Sequence, residues 1–203
     1  MLNNMDLTDK QLGTLYKTTI GNDDKAFKDY KGKTKSYLKF KIDADKEKIK
    51  RTGKATGSSS NADKINAIQK GKYSNKEMMN LYDTFVSDSD EVYKALKKTN
   101  INMKEYLKYK EANLSADKYD DGTVNGKTIS GSAKAKKVEF INNMNITYEQ
   151  KLLLLGSSNK LSNQERTILA NYVNSLNMSR QDKLDLYGKL KGFTVYKDGR
   201  VTW

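Results

Sequence analysis

Chemistry in this chain must run on carboxylates, lysine, tyrosine or serine, because the sequence holds no histidine and no cysteine. Their absence removes the commonest general base, the commonest metal ligand, disulfides and Cys-ligated zinc. The acidic pairs Asp23-Asp24 and Asp120-Asp121 are neighbours in sequence. That spacing does not give the two converging carboxylates of an acid–base hydrolase. The run Asp117-Lys118-Tyr119-Asp120-Asp121-Gly122 has the outline of a calcium loop, which needs an oxygen ligand at its third position and Glu at its twelfth. Those positions hold Tyr119 and Thr128, so the run reads as an acidic surface turn. Gly126-Lys127-Thr128 lacks the upstream glycine of a phosphate-binding loop. The residues predict a non-enzymatic protein with no cofactor and no metal.

The remaining chemistry is electrostatic. Lys and Arg number 38 against 25 acids, a net charge of +13. Residues 31–54 are the most basic stretch: Lys31, Lys33, Lys35, Lys39, Lys41, Lys46, Lys48, Lys50, Arg51 and Lys54 stand against three acids. Tyr37 and Phe40 are interleaved. Cations neutralise phosphates and aromatics stack on unpaired bases, so this stretch is the candidate surface for nucleic acid or an acidic protein partner. A related run, Tyr106-Leu107-Lys108-Tyr109-Lys110, recurs in a nearly neutral region. That recurrence favours a scaffold role for the aromatics and leaves the lysines for the polyanion. No apolar run approaches the roughly 18 residues that span a bilayer. Residues 1–9 lack a signal-peptide pattern. The chain reads as soluble, made in a cytoplasm, and without a membrane partner.

Elements that would position these side chains are repeated. Residues 141–156 align with 173–188 at a constant shift of 32, matching Asn142 with Asn174, Lys151 with Lys183, Leu154 with Leu186 and Gly156 with Gly188. Helix starts share a capping box, in which a Ser or Thr is followed three residues later by an acid or amide. The boxes are Thr8 with Gln11, Ser74 with Glu77, Thr147 with Gln150, Ser162 with Glu165 and Ser179 with Asp182. Four of them lead to an apolar pair: Leu15-Tyr16, Leu81-Tyr82, Leu154-Leu155 and Leu186-Tyr187. A module of about 70 residues thus occurs in near-duplicate, followed by a shortened tail.

Apolar spacing predicts helices near 8–19, 23–30, 34–50, 61–70, 75–86, 89–98, 103–112, 133–144, 148–156, 163–176 and 180–190. Gly156 and Gly188 sit where helix C-caps belong. Residues 53–60 and 115–132 read as linkers. Phe193-Thr194-Val195-Tyr196 and Arg200-Val201-Thr202-Trp203 flank Lys197-Asp198-Gly199, a hairpin signal. The hairpin is expected to pack its aromatics, Trp203 included, on the last helices. The predicted fold is all-α: tandem small helical modules with a short C-terminal β-hairpin. The segments are 1–57, a basic first module; 58–131, a second module; and 132–203, a repeat pair carrying the hairpin.

The run Gly126-Lys127-Thr128-Ile129-Ser130-Gly131-Ser132, continuing through Lys137-Val138, Ile141-Asn142, Glu149-Gln150-Lys151 and Leu154, resembles the C-terminal region of large proteins of bacteriophages and integrative mobile elements. These include polyvalent and virion-associated proteins. The resemblance covers roughly residues 90–203. It implies a phage or mobile-element origin, and a place in the bacterial host cytoplasm or the virion. The expected function is a virion- or DNA-associated binding protein acting through its basic surface. The alternative is an inhibitor of bacterial immunity, of anti-CRISPR type, that binds an effector nuclease.

Overall fold

The computed structural model describes residues 6–21, 24–86, 90–114, 123–124, 127–128, 131–156, 161–190 and 192–203. Among them are α1 Asp9–Tyr16, α2 Lys25–Asp29, α3 Thr34–Thr52, α4 Asn61–Lys70, α5 Asn75–Phe85, α6 Glu91–Lys98, α7 Met103–Leu114, α8 Gly131–Asn142, α9 Tyr148–Gly156, α10 Asn163–Ser175 and α11 Arg180–Leu190. Strands β1 Thr123–Val124 and β2 Lys127–Thr128 pair antiparallel, as do β3 Thr194–Val195 and β4 Val201–Thr202. The chain is all-α with a short C-terminal hairpin. Among the described residues, no helix is long and apolar enough to cross a membrane.

Local chemistry explains most helix starts. Thr8, Ser60, Ser74 and Ser162 each form a reciprocal capping box with the residue three further on. The Ser60–Asp63 box is not among those read from the sequence. Thr147 and Gln150 exchange the same pair of bonds. Each satisfied cap contributes about 1 kcal/mol by pairing amides that the helix itself leaves open. One predicted helix breaks the pattern: the stretch read as 8–19 is α-helical to Tyr16 and then forms a π-helical turn, Lys17–Gly21.

Contacts gather the elements into two compact units, Met1–Asp88 and Ser89–Trp203. The boundary expected at residue 57 therefore falls inside the first unit. There α3 and α4 pack on each other, and α3 also meets α1 and α5. Gly53 ends α3 in the left-handed region at φ 69°, its amide bonded to Ile49 O. The linker expected at 115–132 includes the β1–β2 ladder and the start of α8 at Gly131. Residues 115–122, including the acidic turn, lie outside the described residues, as do most of the residues from 125 to 130.

In the second unit α9 is the centre, in contact with α6, α8, α10 and α11. Leu152, Leu153 and Leu154 are all buried. Three consecutive buried leucines require a helix covered on several sides, which its four neighbours supply. The 32-residue repeat is physically real. Lys151 Nζ donates to Asn142 O at 2.6 Å, and Lys183 Nζ donates to Asn174 O at 3.1 Å. The inter-helix turns also match: Met144 N bonds Ile141 O, and Leu176 N bonds Val173 O.

Two repeat-equivalent glycines do different work. Gly156 is buried, and an ideal Cβ there would lie 2.8 Å from Leu190 Cδ2 and 3.1 Å from Leu169 Cδ2. Gly188 is exposed inside α11, with nothing within 4 Å of such an atom. It is not a C-cap, because α11 continues to Leu190, whose side chain is buried. The hairpin follows strand alternation. Val201 is buried and the Phe193 ring lies 4.9 Å from Tyr187, whereas Tyr196 turns outward under Arg200. Trp203 remains 49% exposed, although its Nε1 donates to Thr167 Oγ1 at 2.8 Å. The expected aromatic packing thus holds for Phe193 and not for Tyr196.

Gly156→Ala is expected to destabilise by about 1–2 kcal/mol through overpacking. Gly188→Ala is expected to stabilise by about 0.5–1 kcal/mol through helix propensity. Urea midpoints of the two variants check the opposite signs.

Candidate functional site

The basic segment begins at the entry to α3 and runs along that helix. Its aromatics point inward: Tyr37 is 0% exposed and Phe40 is equally buried. The Tyr37 ring meets those of Tyr16, Phe27, Tyr30 and Phe85 at centroid distances of 6.0, 5.2, 5.4 and 5.2 Å. These rings form the core of the first unit and are not available to stack on bases.

Asp24 anchors this core. Its Oδ2 accepts from Tyr16 Oη at 2.8 Å, Tyr37 Oη at 2.7 Å and Lys41 Nζ at 2.9 Å, while Oδ1 accepts from the Phe27 amide. Burial alone would raise its pKa. The bonds from Lys41, Tyr37, Tyr16 and the Phe27 amide outweigh burial and hold it well below the usual carboxylate range. Burial and the same carboxylate push the Tyr37 and Tyr16 hydroxyls up. Lys41 is lowered by burial but raised more by Asp24, for a net increase. In the sequence Asp24 is only half of an adjacent acidic pair. The signal that marks it out is tertiary, since the three donors come from α1 and α3.

The ten cations of the segment divide by their partners. Lys48 is only 4% exposed. Its ammonium donates to Ala55 O at 2.9 Å and Gly57 O at 2.8 Å, and pairs with Asp45 at 3.2 Å. It ties the α3–α4 loop and is withdrawn from the surface where the sequence placed it. Arg51 grips Asp63 with Nε at 2.8 Å and Nη2 at 2.7 Å, joining α3 to the capping box of α4. That guanidinium, with Ser60 and against burial, holds Asp63 well below the usual carboxylate range. Lys39 and Lys46 pair with Asp43, and Lys50 with Glu47, which also takes Lys70.

Lys31, Lys33, Lys35 and Lys54 remain. All are exposed and make no side-chain ion pair among the described residues. Lys33 acts on Glu77 through its charge. The first three cluster at the entry to α3. Among the described residues, no group of three or more acidic side chains is placed to hold a metal ion. No protein-family model, no curated protein and no solved structure matches the chain.

Two outcomes test this sorting. Lys48→Met should cost about 1–3 kcal/mol by stranding its carbonyl partners, whereas Lys39→Ala should stay within about 0.5 kcal/mol; chemical denaturation separates them. Asp24 has a folded pKa below its unfolded value, so its contribution is complete above about pH 4 and is lost as pH falls toward the folded pKa. Asp24→Asn should lose about 2–3 kcal/mol at neutral pH. It should also flatten the acid limb of a stability–pH curve below pH 4, with Asp63 among the lowered carboxylates that keep a residual slope.

Proposed function

We propose that this chain is a non-enzymatic nucleic-acid-binding protein of a phage or mobile element, engaging phosphates through the basic surface of its first unit. The observation that carries this reading is the outward set of Lys31, Lys33 and Lys35 at the entry to α3; Lys54, past the other end of that helix, is also exposed. Their ammonium groups hold no acid of the described chain, so condensed counterions rather than side chains must be displaced when a phosphate arrives. The surrounding net charge of +13 adds long-range attraction. Resemblance of residues 90–203 to the C-terminal regions of phage and mobile-element proteins is the support for origin, and for a place in the host cytoplasm or the virion. The absence of histidine and cysteine, and the commitment of Asp24 to the core, support a role without catalysis.

Binding to a DNA oligonucleotide, followed by fluorescence anisotropy across a salt series, tests the reading. Affinity should fall linearly on a log–log plot. The triple variant Lys31→Gln, Lys33→Gln, Lys35→Gln should reduce the magnitude of that slope by about 2–3. Lys39→Gln with Lys46→Gln should change it less, because Asp43 already holds both ammonium groups. No binding tighter than roughly millimolar at low salt would overturn the proposal. It would leave an acidic protein surface, such as that of an immune effector, as the partner to examine.

A further inference from the structure

The C-terminal hairpin gathers two kinds of side chain that are scarce on the rest of the surface. The first is arginine. Only Arg51, Arg166, Arg180 and Arg200 stand among the 38 basic residues of the chain. Three of these four meet the segment 193–203. Arg166 lies over the Phe193 ring at 5.9 Å, Arg180 Nε donates to Tyr196 O at 3.2 Å, and Arg200 lies over the Tyr196 ring at 5.5 Å. The second is the exposed aromatic. Among the described residues Tyr148, Tyr196 and Trp203 are the exposed rings, and the last two belong to the hairpin. The first unit shows the opposite pattern, with Tyr37 and Phe40 buried and Arg51 committed to Asp63.

Tyr196 is the centre of this surface. The β3–β4 register puts Val195 across from Val201, so alternation sends Tyr196, Arg200 and Thr202 to the outer face. The Tyr196 hydroxyl lies 3.5 Å from Thr202 Oγ1, which lays the ring along that face. Trp203 follows at the open end of the hairpin, fixed by its bond to Thr167.

Two guanidinium groups are held beside the ring by their Nε atoms alone. Arg180 is held by the Tyr196 carbonyl and Arg200 by Asp198 Oδ2 at 2.5 Å. Both side chains are exposed, and their terminal Nη groups have no protein partner among the described residues. Arg180, Lys197 and Arg200 outnumber Asp198, the one acid of the hairpin. The nearby α11 acids Asp182 and Asp185 act instead on Lys94 of α6.

We propose that this hairpin face binds single-stranded nucleic acid, with an unpaired base stacked on Tyr196 and adjacent phosphates taken by Arg180 and Arg200. Arginine suits both tasks, because its planar fork matches phosphate oxygens and also stacks on rings. A single strand offers a free base face to the tyrosine, as a duplex does not. An acidic peptide would satisfy the arginines and leave the ring unused. The inference rests on the nucleic-acid reading and adds to it a second contact with a strand preference.

The test titrates the full chain with a short oligothymidylate, single-stranded or paired to its complement, and follows backbone amides by NMR. The single strand should move the amides of Thr194, Tyr196, Arg200 and Trp203 more than the duplex does. Tyr196→Leu should weaken single-strand binding by about tenfold, whereas Tyr196→Phe, which keeps the ring, should stay within about twofold. Arg180→Gln with Arg200→Gln should reduce the magnitude of the single-strand salt slope by about 1.4. Hairpin amides that stay still while those of Lys31, Lys33 and Lys35 move would overturn this inference and leave the first-unit surface standing. Movement of the hairpin amides alone supports the inference and overturns the first-unit surface; movement in neither region overturns both. The stacking claim also fails if Tyr196→Phe loses as much affinity as Tyr196→Leu, or if polyglutamate moves the hairpin amides as strongly as the oligonucleotide, which would identify an acidic protein as the occupant.

Discussion

One carboxylate oxygen holds three donors together in the first unit. Asp24 Oδ2 receives Tyr16 from α1 and both Tyr37 and Lys41 from α3. Each tyrosine is otherwise a large apolar ring with a polar tip that must be satisfied when buried. Asp24 supplies that satisfaction, which allows Tyr37 to sit at the centre of a ring cluster with Tyr16, Phe27, Tyr30 and Phe85. Lys41 balances the charge that the two neutral hydroxyls would leave buried. The placement of α1, α2 and α3 depends on this arrangement.

The same economy governs the lysines. A run that looks uniform in sequence is divided by the fold into tethers and free cations. Lys48 and Arg51 close the α3–α4 connection from within, one through carbonyls and the other through a bidentate carboxylate. Lys39, Lys46 and Lys50 lie beside acids on their own helix, pairs worth little for stability but enough to occupy their charge locally. Of the cations that face solvent without such neighbours, Lys31, Lys33 and Lys35 lie at the helix entry and Lys54 lies past its other end.

The second unit is built on repetition. Lys151 and Lys183 each reach back to an asparagine carbonyl at the end of the preceding helix, so identical residues serve an identical hydrogen bond. Gly156 and Gly188 share a repeat position but not a role, because only the first faces neighbouring leucines. Repetition preserves the local bonds of each copy and leaves the outer contacts to differ.

Helix positions were legible in the sequence because they rest on near-neighbour physics: apolar spacing, capping hydroxyls three residues from their partners, and an Asp-Gly turn between β-formers. Ser60 with Asp63 fits the same spacing, but Ser60 closes the stretch 53–60 that reads as a linker. The scaffold role of Tyr37 and Phe40 was also readable, since their run recurs where the charge does not. The functional surface was not. Whether Lys48 faces water or a pair of carbonyls, and whether Asp24 is idle or a hub, are set by residues up to 25 positions apart that only packing brings together. Sequence alone determined an all-α, basic, internally repeated chain, because composition and short-range bonding act along the backbone. Tertiary structure decided which charges remain outward, because a lysine is sorted by the burial and partners around its ammonium and not by its place in a run.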